Sequence, residues 1–270
     1  MGSTSHSHGH ASPADGLYIG ADTLVHRLPA HGKLVGLIAF VLVVVATPRG
    51  AWTAYAGFAA LLALVVWLAR IPLPVLVKRM VVEIPFVVFA LLMPLVATGP
   101  RVEVLGGLTV SEAGLVGGAT VLVKATLGVV AAIVLAATTS ARDLLAGLDR
   151  LHLPKALVAI LSFMVRYASV VVGDLQRMRV ARESRGYTGG GAGHLKAVAA
   201  GAGALFVRSY ERGERVHLAM LARGYTGRMP VLSSERPGAV AWLRCLALPL
   251  AAVLVLVAHL ILVAGPAGAA

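Results

Sequence analysis

The chain has a single cysteine, Cys245, so it can form no intrachain disulfide, no cysteine-based zinc cluster and no thiol-redox pair. Aromatic residues are only 6% of its 270 residues while glycine reaches 30, which argues against an aromatic-girdled outer-membrane barrel and for close-packed membrane helices. Charged residues are equally scarce, at 13% against 58% hydrophobic. That is about half the charge of an ordinary globular domain, and one soluble core of this size cannot hide so many apolar side chains. The polar, Gly/Ser/His-rich leader is the reverse of a basic n-region followed at once by an apolar run, so no cleavable signal is expected. No Gly-x-x-x-x-Gly-Lys-Ser/Thr loop, Gly-x-Ser-x-Gly elbow or His-Glu-x-x-His pair occurs. The chain is therefore expected neither to hydrolyse ATP nor to act as a catalyst.

What is present in quantity is long apolar sequence. Runs over 33–47, 51–69, 80–98, 114–138 and 239–264 predict five membrane helices. A sixth stretch, 153–172, contains Arg166 and is left open between spanning the bilayer and lying along it. The fold class expected is thus all-α: a polytopic helical membrane protein with five to six membrane helices. Its expected parts are a polar tail over 1–32, a four-helix membrane region over 33–138, a basic region over 139–238 and a last span over 239–264.

The excess of Lys and Arg fixes the expected orientation. Arg27 and Lys33 precede the first span, and Arg70, Lys78 and Arg79 cluster between the second and third, while the opposite turns are poorer in net positive charge. The positive-inside rule then places the N-terminus in the cytoplasm of a multi-pass plasma-membrane protein. The segment 140–238 also falls inside, with 15 of the 24 basic residues and 7 acids. Membrane topology accounts for the net charge of +12, and no nucleic-acid fold motif accompanies it.

Within that segment three helical patterns are legible. Thr139 or Ser140 caps one whose leucines at 144, 145, 148 and 151 form a stripe. A second ends near Ser184 and a third runs from about Leu205 to Ala222, with the glycine run 189–193 expected as a hinge between them. The last two share an ending: Ser184-Arg185-Gly186-Tyr187-Thr188-Gly189 recurs as Ala222-Arg223-Gly224-Tyr225-Thr226-Gly227, at an offset of 38 residues. In each copy a glycine follows the final helical residues, as the left-handed C′ position favours, and an arginine sits at the negative end of the helix dipole. Two cation-tipped helices of one design point to docking in two similar acidic grooves, such as a pseudo-two-fold ATPase dimer would offer.

With these features in view, the sequence resembles the transmembrane T component of energy-coupling-factor (ECF) transporters, in its cobalt-type CbiQ branch. The resemblance covers about 25–259. It rests on His26-Arg27-Leu28-Pro29 leading to Lys33-Leu34, on Asp143-Leu144 through Leu151-His152-Leu153-Pro154, on Arg166-Tyr167, and on the two Arg-Gly endings. It implies a non-catalytic scaffold without cofactors. Ser184, Arg185, Gly186 and Ala222, Arg223, Gly224 would be the coupling motifs, seated in two ABC ATPase subunits and transmitting their closure to a membrane S component. That component would be CbiM-type, with or without a CbiN-type subunit. The first copy departs mildly from an Ala-Arg-Gly pattern. Cobalt is the cargo the resemblance favours, with nickel or a vitamin as alternatives and an independent channel or secondary transporter well behind. A membrane enzyme would need clustered catalytic residues, which the sequence does not supply.

Two further constellations stand apart. His6, His8 and His10 alternate in the tail, and imidazoles suit Co, Ni, Cu or Zn ions, although incidental histidines in a polar tail are the plainer reading. Glu83, Lys124 and Arg166 lie in or beside apolar runs. Glu83 and Lys124 are expected at different depths, about 16 Å apart, so no direct pair is expected. Lys124 is expected to face the bundle interior or another subunit, and Glu83 and Arg166 to sit near water.

Overall fold

A computed structural model describes residues 17–97, 101–105, 108–151, 153–187, 191–227 and 238–264. The architecture is helical: α1 (Ala30–Ala46), α2 (Trp52–Leu68), α3 (Leu73–Arg79), α4 (Ile84–Val96), α5 (Glu112–Thr138), α6 (Ala141–Arg150), α7 (Lys155–Glu183), α8 (Gly191–Leu221) and α9 (Ala239–Ala264). Among the described residues three helices are long and apolar enough to cross a membrane, within α5, α7 and α9, and α1 and α2 are shorter apolar helices of 17 residues each. The described residues divide into two compact units, 17–147 with 238–264, and 148–227.

In the first unit α1, α2, α5 and α9 enclose one apolar core. Phe40, Val44, Tyr55, Phe58, Leu62, Leu127, Ala131 and Ala252 are buried there. Phe58 meets Phe40 and Tyr55 edge-to-face, with ring centroids 6.1 and 6.4 Å apart, and the Tyr55 hydroxyl donates to the Pro48 carbonyl at 2.9 Å. Helix pairs approach through glycines. A Cβ at Gly36 of α1 would stand 2.6 Å from the Cys245 carbonyl oxygen of α9, and a Cβ at Gly118 of α5 2.6 Å from the Ala90 oxygen of α4. Pro94 explains the second approach: it lacks the N–H that would bond to Ala90, so the bare carbonyl accepts the small face of α5.

Several expectations need correction. The third apolar run is not one span. The short α3 precedes it, and the run itself divides into a 3-10 turn Met80–Glu83 and α4, with Pro85 in the first turn of α4, where a missing N–H costs nothing. The connection after it forms an antiparallel hairpin, β1 (Arg101–Leu105) with β2 (Leu108–Ser111), Arg101 opposite Ser111. Ser111 then caps α5, accepting from the Gly114 N–H at 3.4 Å. The stretch 153–172 is no separate element: from Lys155 on it is the first part of the 29-residue α7, with Pro154 at its N-cap. The expected glycine hinge is shortened, since α8 begins at Gly191; Gly189 and Gly190 lie outside the described residues. Ser140 caps α6, its Oγ accepting from the Asp143 N–H at 3.2 Å.

Several ionisable groups in the first unit bond to backbone carbonyls or to a half-buried hydroxyl. Lys33 donates to the carbonyls of Thr138 (2.8 Å) and His26 (3.2 Å), gathering the end of α5 to the chain entering α1. At the other end of α1, Lys124 donates to the carbonyls of Val45 and Thr47, each at 2.8 Å. Glu83 is buried rather than near water, and its carboxylate accepts from the Thr126 hydroxyl on α5. The segment before α1 is pinned: the Ile19 N–H donates to Ala137 (2.9 Å), Arg79 donates to the Leu17 carbonyl (2.8 Å) and His26 Nε2 donates to the Ile19 carbonyl (3.0 Å). Arg27 grips Asp22 with two 2.7 Å bonds, and those hydrogen bonds hold the Asp22 carboxyl below its ordinary range.

Substitution at the glycine contacts should separate packing from helix propensity. Gly118→Ala is expected to lower stability by about 1–3 kcal/mol through overpacking. Gly128→Ala, in the same helix with nothing within 4 Å of its Cβ, is expected to be neutral or stabilising. Thermal unfolding in detergent, followed on both variants, checks the contrast.

Candidate functional site: two identical helix tips

The second unit is built from α7 and α8. They run antiparallel: Arg182, late in α7, donates to the carbonyl of Ala197, early in α8 (3.3 Å), while Phe163 and Tyr167 of α7 share a groove with Val216 and Met220 of α8. That groove encloses about 290 Å³ and is chiefly apolar.

Each helix closes with the same hydrogen-bond pattern. At the end of α7 the Gly186 N–H donates to Glu183 (3.0 Å) and the Tyr187 N–H reaches back to Arg182 (3.2 Å). At the end of α8 the Gly224 N–H donates to Leu221 (3.0 Å) and the Tyr225 N–H to Met220 (3.0 Å). These are two Schellman motifs with glycine at C′, and both glycines are left-handed, with φ of 76° and 79°. Only glycine adopts that conformation without strain, so the Arg-Gly order in the sequence is what stops each helix at a fixed residue. Arg185 and Arg223 are thereby the C-cap residues of their helices, at the negative end of each dipole.

Both arginines are exposed, and among the described residues neither guanidinium has an acidic or hydrogen-bonding side-chain partner. Ser184 and Ala222 occupy equivalent, exposed positions one residue before them. Because the helices are antiparallel, the two tips lie at opposite ends of the pair.

One ion-pair cluster ties the helices. Asp174 of α7 accepts from Arg177 on Oδ1 (2.5 Å) and from Arg212 of α8 on Oδ2 (3.2 Å). Residues 174 and 212 are separated by 38, the offset of the repeat itself. Equivalent positions of the two copies thus meet, as they must where a pseudo-two-fold axis passes between antiparallel helices. Each arginine tip is eleven residues beyond its member of the pair. At 1.5 Å per residue the tips stand about 16 Å to either side, roughly 30 Å apart.

The Asp174–Arg212 contact went unnoticed in the sequence, although both residues are in repeat register. The Lys33 and Lys124 contacts could not have been found, because their partners are backbone carbonyls. His6, His8 and His10 lie outside the described residues, and among the described residues no three His, Cys, Asp or Glu side chains gather as a metal site would require.

Comparison with known proteins adds independent findings. The profile of the family described as cobalt transport protein, CbiQ, matches residues 21–233, a span that contains both tips. The energy-coupling factor transporter transmembrane protein EcfT of Bacillus subtilis (strain 168) is 28% identical over 225 residues, 78% of this chain and 84% of its own. The protein of the same name from Listeria innocua is 26% identical over the same shares. The cobalt transport protein CbiQ of Rhodobacter capsulatus is 28% identical over 177 residues, 63% of this chain and 68% of its own.

The caps themselves can be tested. Gly186→Ala and Gly224→Ala each force a side chain into the left-handed region at a cost of about 1 kcal/mol. The amides of Gly186 and Tyr187, or of Gly224 and Tyr225, are expected to exchange hydrogen about fivefold faster in the matching variant, with the other tip unchanged.

Proposed function

The chain belongs to the CbiQ family, the transmembrane T components of energy-coupling-factor transporters, and from that premise we propose that it couples ATP hydrolysis to cobalt uptake through its two arginine-tipped helices. Arg185 and Arg223 each enter a groove of one of two ABC ATPase subunits. A membrane S component of the CbiM type, with or without a CbiN-type subunit, carries the ion. The observation that carries this reading is the duplicated, capped and oppositely directed pair of tips. A dimeric ATPase presents two equivalent grooves about a two-fold axis, and a pseudo-two-fold helix pair is the complementary shape.

Arginine suits the task. Its planar fork binds a carboxylate bidentately and keeps its charge when water is excluded. The Schellman cap holds the backbone of each arginine at a defined point, so little backbone ordering is needed on docking. When ATP draws the two ATPase subunits together, both tips are pulled at once, and the helix pair carries that displacement towards the S component. The chain contributes no catalytic group of its own. Its N-terminus lies on the cytoplasmic side, the side of the ATPases, in agreement with the distribution of Lys and Arg. Cobalt is preferred as cargo because the matching family is described as cobalt transport protein and one relative bears that name.

The test is co-purification from detergent-solubilised membranes. Arg185→Glu with Arg223→Glu reverses charge at both tips and is expected to lose the ATPase subunits, by at least a hundredfold if each tip contributes a hot-spot arginine of about 2 kcal/mol. Either single reversal is expected to weaken association partially. ATPase retained in full by the double variant, with cobalt uptake intact, contradicts the proposal.

A further inference from the structure

Asp174 is the only buried residue among the described residues of α7 and α8, at 8% exposure. In a two-helix unit this is an unusual distribution. Apolar packing normally sets the angle and register between helices, yet here the large apolar side chains of α8, among them Leu195, Phe206, Tyr210 and Leu218, are exposed. The most enclosed group between the helices is a carboxylate. Both of its oxygens are used, one by Arg177 on its own helix and the other by Arg212 on α8. The Arg177 side chain is 71% exposed and that of Arg212 31%, so the carboxylate is clasped from the solvent side by one guanidinium and from α8 by the other.

A buried ion pair contributes little net stability compared with apolar side chains of similar volume. Its best-attested use is to specify one register among several that apolar contacts would tolerate. The position of this pair gives that use a purpose. Asp174 and Arg212 are repeat equivalents, so the contact lies on the pseudo-two-fold axis, and the two tips are equally distant from it. A slip of one helical turn between α7 and α8 would displace one tip relative to the other by ~5 Å, enough to take an arginine out of a groove that its twin still occupies. The second polar tie, from Arg182 to the Ala197 carbonyl, is a single bond to backbone and selects no side-chain partner.

We infer that Asp174, held between Arg177 and Arg212, is the positioning residue that fixes the register of the two helices and hence the separation of Arg185 and Arg223. The inference rests on the coupling function above and deepens it: the clasp makes the two tips move as one body. It also assigns distinct roles to four arginines. Arg212 sets geometry through Asp174, Arg177 completes the neutralisation of the carboxylate, and the tip arginines meet the partner.

The experiment has two readouts on the full chain. Spin labels at Glu183→Cys and Leu221→Cys, exposed repeat equivalents one turn or less from the tips, report tip separation in a Cys245→Ala background. The same clasp variants, without labels, are assembled with ATPase and S component and assayed for cobalt taken up per ATP hydrolysed. Asp174→Leu with Arg212→Met replaces the clasp by apolar side chains and keeps the helices folded. It is expected to broaden the tip-to-tip distance distribution about twofold while ATPase subunits still co-purify, and to lower uptake per ATP about fivefold, the low end of measured couplings between sites. The charge-exchanged triple, Asp174→Arg with Arg177→Glu and Arg212→Asp, is expected to restore both the narrow distribution and the uptake ratio. A merely structural role predicts neither the broadening in a folded variant nor the rescue. An apolar variant with an unchanged distance distribution and unchanged uptake per ATP overturns the inference, as does a folded triple variant that restores nothing. Failure of the wild-type chain to retain ATPase overturns the coupling function instead, and the distance measurement, made on the chain alone, distinguishes the two.

Discussion

A helix can end only where its last carbonyls find donors, and in a chain whose solvent is largely lipid, water seldom supplies them. Much of this structure follows from how that demand is met. Lys33 closes the end of α5 through the Thr138 carbonyl, and Lys124 closes the end of α1 through Val45 and Thr47. Each lysine belongs to the neighbouring helix, so satisfying one helix end also fixes the pairing of α1 with α5. The ends of α7 and α8 are met differently, by backbone N–H groups folded back around left-handed glycines. That solution needs no neighbour. It leaves the C-cap side chains free, and in both copies the C-cap is arginine.

The two units embody different mechanical designs. The helices of the first meet at glycines and around buried aromatic rings, with contacts too close to admit even a Cβ at Gly36 or Gly118. Such an arrangement resists sliding, because any displacement creates either a clash or a void. Among the described residues of α7 and α8 no apolar side chain is buried, and the one buried residue is Asp174, held by Arg177 and Arg212. A pair of this kind can be drawn upon at both ends without losing a packed core. Stiffness resides where glycine contacts hold the helices side by side, and in the proposed function the second unit supplies the tips that a partner grips.

The sequence made legible whatever depends on local signals. The bounds of α5 and α9 follow from hydropathy, and the twin helix endings from an arginine followed by glycine at an offset of 38. Less was visible where a local signal competed with another. Pro85 was present in the third apolar run, but unbroken hydropathy concealed that it begins a new helix after a 3-10 turn. The alternation in Arg101–Leu105 and Leu108–Ser111 was too short to distinguish a hairpin from a loop. Gly191 and Gly193 read as hinge, yet they lie in the first turn of α8, where helix propensity is weak and the following 28 residues decide the matter. Glu83 appeared to be near water because its depth was reckoned along one helix. Burial depended on Thr126, 43 residues away. Of the candidate site, the two capped helix endings were legible, and the clasp between them only as two charges in register.

The central claim is that one chain grips two ATPase subunits with two equivalent arginine tips. Its most direct measurement is site-specific cross-linking in native membranes, with a photoreactive amino acid at Tyr187, at Tyr225, or at both, beside the intact arginines. The account predicts that each single variant captures one ATPase copy and that the double variant yields a product containing one chain and two copies. No capture from either position, or capture of a single copy by both tips together, would contradict it.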